Sequence, residues 1–210
     1  LISFPLGQTT LSVKLAETKQ AILDGADEID YVINIGKAKM HDWEYLKKEM
    51  QEIVTLCHEN NVICKVIFEN CYLDQCEIKK LSEIAKEIKP DFIKTSTGFG
   101  TGGATIEDVR LMKEIVGQEV QVKAAGGIRD WQTCLAMIEA GATRIGTSHS
   151  LNILKEYEEK INTKQAFGHP AIVFGLLMYT LNFSEEEAIS FHMYSTISTL
   201  IQNGDRKSVV

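Results

Sequence analysis

Positive charge is in short supply in this 210-residue chain: 22 Lys and Arg stand against 29 Asp and Glu, a formal net charge of −7. That deficit excludes nucleic acid and anionic membranes as default partners, because both require a basic surface. A local cationic pocket remains allowed. Long apolar runs are also missing. The longest, AIVFGLLMYTLNF, falls short of the ~20 residues that a spanning helix needs, and no secretory leader is visible, so a cytoplasmic setting is expected. Cysteine is sparse and odd in number: five residues, at 57, 64, 71, 76 and 134, with no Cys-x-x-Cys pair. Reduced thiols are expected rather than a disulfide framework or a zinc site, and no metal or other cofactor is called for. No Gly-x-Gly-x-x-Gly follows the first strand, which leaves a dinucleotide site without support. The opening LISFPLG has no methionine and reads as a strand entered in mid-fold.

What the chain does have is alternation. Strand candidates begin near Ile2, Ile29, Val62, Phe92, Val120 and Arg144, spaced by the ~30 residues of a βα unit. Helix start signals lie between them. Asp42 precedes Trp43, Leu46, Met50, Ile53, Val54 and Cys57 on one face. Asp74 and Glu77 form a capping box, Thr105 and Asp108 start another helix that Gly117 ends, and Asp130 caps one closed by Gly141. GADEI (25–29) and GATRI (141–145) repeat one helix-to-strand turn, and KPDFI (89–93) is a looser copy. Strict βα alternation predicts a parallel sheet, as a barrel or a doubly wound sheet.

Strand parity then singles out lysines. Phe92, Lys94 and Ser96 share one face, as do Gln121, Lys123 and Ala125 on the next strand, and Lys65, Ile67 and Glu69 on the preceding one. Lys94 and Lys123 both precede glycine-containing turns, near the carboxyl ends of successive strands. Two ammonium groups ~5 Å apart at an effective dielectric of ~20 repel by about 3 kcal/mol, roughly 2.4 pKa units. Such a pair can supply the neutral amine that Schiff-base chemistry requires. The alternative is that each lysine is neutralised by Glu69 or Asp30. Asp30 points inward and suits either a proton relay or a counter-ion. Gly98, Gly126, Gly127 and Gly146 with Ser148 end three successive strands, where bare backbone N–H groups can cradle a phosphate.

The segments GADEIDYVINIG, KVIFENC, DFIKTSTGFGTGGAT, VKAAGGIRD and GATRIGTS together resemble the deoxyribose-phosphate aldolases, over most of residues 1–155. The resemblance implies a (β/α)8 TIM-barrel fold and a metal-free class I aldolase. It also implies reversible cleavage of 2-deoxy-D-ribose 5-phosphate to acetaldehyde and D-glyceraldehyde 3-phosphate, in deoxyribose phosphate catabolism. Carried over, Lys94 is the Schiff-base lysine, Lys123 lowers its pKa and shares proton transfer, and Asp30 relays protons. Gly98, Gly126, Gly127, Gly146 and Ser148 bind the substrate phosphate. A monomer or homodimer is implied.

Three departures qualify it. His149 stands where a small residue usually follows the serine. The barrel is incomplete, with six of eight βα units present: the two before LISFPLG are lacking, one of them carrying an Asp-His-Thr motif. After residue 158 a helical appendage follows. Residues 159–203 read as two helices, one with Pro170 in its first turn and one opened by Ser184 and Glu187. About 40 residues, 163–203, resemble part of the urease accessory protein F family, with His169 and His192 as helix residues rather than ligands. Residues 204–210 are a tail, and its DRKSVV ending reads as translated sequencing adapter. Two rivals remain: a phosphate-binding barrel isomerase or lyase that forms no imine, and an inactive fragment acting as an interaction module.

Overall fold

The computed structural model describes residues 1–163. The chain divides into two compact units, Leu1–His149 and a second beginning at Ser150. In the first, α1 (Leu11–Leu23) leads to β1 (Glu28–Val32), and the short α2 (Ile35–Lys39) is followed by α3 (Trp43–Glu59). Then come β2 (Ile63–Ile67), α4 (Gln75–Ile88), β3 (Phe92–Lys94), α5 (Ile106–Val116), β4 (Gln121–Ala125), α6 (Trp131–Glu139) and β5 (Arg144–Gly146). The second unit opens with α7 (Ser150–Asn162). The two appendage helices expected around Pro170 and Ser184, with His169, His192 and the 204–210 tail, lie outside the described residues.

The predicted helix starts are built as their residue types require. Asp74 accepts from Glu77 N at 2.9 Å, while the Glu77 carboxylate accepts from Asp74 N at 2.8 Å, a complete capping box on α4. Asp42, Thr105 and Asp130 each accept a backbone N–H three residues on, opening α3, α5 and α6.

Among the described residues the five strands are all parallel and lie in sequence order β1-β2-β3-β4-β5. The sheet is an open, partial barrel wall. The first expected strand is a correction to the sequence reading: it is reduced to a single bridge, Ile2 to Tyr31. Ile2 N donates to Asp30 O at 2.8 Å and Ile2 O accepts from Val32 N at 3.2 Å. Ser3 then turns away at φ +53°, and its N–H goes to the Glu17 carboxylate at 2.8 Å instead of a strand.

The sheet curls strongly. Four interstrand steps of ~4.8 Å would separate flat edge strands by ~19 Å. Yet Arg144 of β5 donates to both carboxylate oxygens of Glu28 of β1, at 3.0 and 2.7 Å. The faces differ in chemistry. Ile29, Tyr31, Cys64, Val66, Ile93, Val122 and Ala124 are buried on the convex side, with Leu46, Met50, Ile53, Ile78, Leu81, Val109 and Met112 from the helices. The concave side carries Glu28, Asp30, Lys65, Lys94, Lys123 and Arg144, which meet there in ion pairs.

Candidate active site

Register brings the two predicted lysines side by side: Lys94 of β3 pairs with Lys123 of β4. Their ammonium groups converge on one atom, Asp30 Oδ2, at 2.9 Å from Lys94 and 3.4 Å from Lys123. Sharing that oxygen caps their separation at about 6.3 Å, the sum of the two distances, so at an effective dielectric near 20 they repel by about 2.6 kcal/mol or more. The other oxygen, Asp30 Oδ1, accepts from Lys65 at 2.7 Å, and Lys65 also meets Glu28 at 2.6 Å. Charges therefore alternate across the concave face from Arg144 to Glu28, Lys65, Asp30 and finally the Lys94–Lys123 pair.

Burial works against the Asp30 charge. Hydrogen bonds from Lys65 and Lys94 and the charges of Lys94 and Lys123 overcome it and hold the carboxyl well below the usual carboxylate range. Lys123 moves down from the ordinary lysine value, first through burial and then through the charges of Lys94 and Lys65, against the pull of Asp30. A resting Asp30 is thus an ionised carboxylate shared by three lysines. Both alternatives left open by the sequence, paired lysines and neutralisation by Asp30, coexist in one cluster.

Above the lysines opens a pocket of about 380 Å³. Lys94 and Lys123 form part of its wall, with Gly98, Gly126, Gly127, Gly146 and Ser148, the positions expected to receive phosphate. Gly126 and Gly127 both have positive φ, +85° and +78°, a conformation that side chains disfavour. At Gly146 an added Cβ would lie 2.9 Å from Ala125 Cβ and 3.5 Å from Lys123 Cε, crowding the lysine. β3 is continued past Lys94 by Thr95, whose hydroxyl donates to Ala125 O and accepts from Ala125 N, both at 3.1 Å. This clamp fixes the turn carrying Gly126 beside the 97–98 loop.

Several wall or supporting residues escaped the sequence reading. Lys65 belongs to the cluster although parity alone gave it no partner: Asp30 stands opposite it in register. Arg129 lines the pocket, and a cation two residues past the Gly126-Gly127 pair was an available signal. Thr97 and Thr147 line it too. His149, the departure at the rim, is a wall residue; its ring Nδ1 lies 3.1 Å from Ser148 Oγ and its N–H donates to Thr147 Oγ1 at 2.9 Å. Glu69 does not neutralise a lysine. It accepts from Thr97 N at 3.1 Å on each oxygen. Among the described residues no cluster of three or more His, Cys, Asp or Glu is arranged to hold a metal ion, and no helix is long and apolar enough to cross a membrane.

The chain's similarities to aldolases fall largely on this same unit. The sequence model of the DeoC/LacD family aldolases matches residues 4–156, and that of UreF matches residues 129–209. The deoxyribose-phosphate aldolase of Lactobacillus acidophilus is 65% identical over 152 residues, covering 72% of this chain and 64% of that protein. The deoxyribose-phosphate aldolase of Thermococcus kodakarensis is 57% identical over 155 residues, covering 74% and 69%. Among solved structures, "QR15, an Aldolase" superposes with a TM-score of 0.70 at 44% identity, covering 77% of this chain and 72% of that one. The Aeropyrum pernix deoxyribose phosphate aldolase, described as a unique tetrameric structure, gives a TM-score of 0.68 at 32% identity, covering 75% and 66%. The chain thus spans 64% of the length of the Lactobacillus relative.

Proposed function

The chain belongs to the DeoC/LacD family of aldolases, and on that premise we propose that it is a class I aldolase acting reversibly on 2-deoxy-D-ribose 5-phosphate. The observation that carries the proposal is the sharing of Asp30 Oδ2 by Lys94 and Lys123 beneath a glycine-walled pocket.

Lys94 is the nucleophile. Lys123, drawn down toward its neutral amine, accepts the proton of the Lys94 ammonium through the carboxylate oxygen that both contact. Lys94 Nζ then adds to the C1 aldehyde of the open-chain sugar, Lys123 returns the proton to the carbinolamine hydroxyl, and loss of that group as water gives an iminium and leaves Lys123 neutral again. Removal of the C3 hydroxyl proton by the Lys123–Asp30 pair breaks the C2–C3 bond. Its electrons pass into the iminium to give an enamine, and C3 to C5 depart as D-glyceraldehyde 3-phosphate. Protonation of the enamine at C2 and hydrolysis release acetaldehyde and restore the amine. The phosphate sits against Gly98, Gly126, Gly127, Gly146 and Ser148, with Arg129 as a further cation on the wall.

Within this reading residues 1–158 form the partial aldolase barrel, 159–203 an appendage of different origin, and 204–210 a terminal tail. The UreF match supports a separate origin for the appendage, although it overlaps the aldolase match over 129–156. A cytoplasmic monomer or homodimer is the expected state. The test is release of D-glyceraldehyde 3-phosphate, coupled to a dehydrogenase. The full chain turns over 2-deoxyribose 5-phosphate and Lys94→Arg falls to background; turnover that survives in Lys94→Arg would contradict the imine.

A further inference from the structure

Glu69 is a buried carboxylate in an unusual conformation. It is 1% exposed and sits at φ +56°, ψ +61°, the left-handed region that residues with a Cβ avoid. The backbone is pinned on both sides of it: Phe68 N donates to Lys94 O at 3.0 Å, and Asn70 N to Thr95 O at 2.9 Å. Strain held in this way points to a demand on the side chain.

That demand is visible in the next turn of the sheet. Both Glu69 oxygens accept from Thr97 N at 3.1 Å, and the Thr97 hydroxyl donates to Oε2. The hydroxyl has one proton. Having given it to the carboxylate, it is left as an acceptor, and Phe99 N donates to it at 3.0 Å. One carboxylate thus fixes Thr97 directly and Phe99 through Thr97. The loop passes close over it: a Cβ on Gly100 would lie 3.0 Å from Glu69 Oε1 and 2.6 Å from Cys71 Sγ. Thr97 and Gly98 form one wall of the pocket, while Glu69 stands behind that wall and does not line it. Its negative charge therefore acts on the loop's back, through charge-assisted hydrogen bonds.

We propose that Glu69 is a positioning residue that locks the 97–100 loop in its phosphate-receiving shape and so sets the preference for phosphorylated over unphosphorylated substrate. This rests on the reading of the glycine-walled pocket as a phosphate site. Glutamine keeps one carbonyl oxygen for Thr97 N, so Glu69→Gln retains part of the lock and Glu69→Ala none.

The experiment titrates inorganic phosphate into the full chain, following the backbone amides of Gly98, Gly126 and Gly127 by NMR. Steady-state rates are measured on 2-deoxyribose 5-phosphate and on 2-deoxyribose. Phosphate affinity falls about tenfold in Glu69→Ala and less in Glu69→Gln, and KM for the phosphorylated sugar rises in the same order with kcat held within about twofold. Wild-type phosphate affinity in both variants would overturn the inference alone. Where Glu69→Ala does not fold, Glu69→Gln decides: reduced phosphate affinity supports the lock, and unchanged affinity overturns it. Failure of the wild-type chain to bind phosphate at these amides would overturn the reading of the pocket and this inference with it.

Discussion

Lys65 is the residue whose part in the site is most readily measured. Its side chain is 1% exposed, and its ammonium divides itself between Glu28 and Asp30. It holds one oxygen of Asp30 and leaves the other to Lys94 and Lys123, and its charge adds to the lowering of Lys123. Lys65→Met removes a positive neighbour and frees Asp30 to hold the remaining protons. Both changes favour the protonated lysines, so the amine appears only at higher pH. The pH midpoint of Lys123, followed with 13Cε-labelled lysine, moves up. The pH dependence of imine formation at Lys94 moves with it. An unmoved midpoint would show that Lys65 is electrostatically idle. Parity in the sequence placed Lys94 and Lys123 together because they fall on matched positions of adjacent strands. That all three lysines share one Asp30, and that Arg144 of β5 reaches Glu28 of β1, was not legible, because it depends on register and on the curl of the sheet, which alternation of faces does not encode.

Among the elements, α3 to α6 were announced by their caps, since Asp42, Asp74, Thr105 and Asp130 are residue types with a local reason to start a helix. Helix α1 gave no such signal. Its buried residues are Lys14 and Thr18, while Val13 and Leu23 are exposed, so its apolar pattern marks no inner face. It is held instead by a buried ion pair: Lys14 meets Glu49 of α3 at 2.8 Å and donates to Val32 O at 2.7 Å. Burial opposes both charges, moving Lys14 down and Glu49 up. Breaking such a pair from one side costs about 3–5 kcal/mol, whereas replacing both partners by apolar residues is close to neutral. Lys14→Met and Glu49→Leu singly should each lower denaturant stability by that amount, and the double variant should recover most of it. Additive losses would contradict the pairing. The edge run at Ile2 misled in the opposite sense: apolar residues promised a strand, but the positive φ at Ser3 ends it after one bridge.

At the scale of the molecule, five parallel strands form an open wall whose concave face gathers the charges and whose carboxyl ends carry the glycine turns. Class and site were legible because βα alternation and strand-end lysines are properties of short segments. The open barrel was legible too, from a count of six βα units, but the reduction of the first strand to one bridge was not, because it depends on the positive φ at Ser3. The central claim is that this partial wall still makes a nucleophilic lysine. Acetaldehyde with borohydride tests it without requiring the phosphate site: the reduced imine leaves an ethyl group on the lysine that attacked. Peptide mapping of the full chain should place that group on Lys94, with none at Lys65 or Lys123, and Lys94→Ala should abolish it. An ethyl group spread over surface lysines, or one unchanged by Lys94→Ala, would contradict the account.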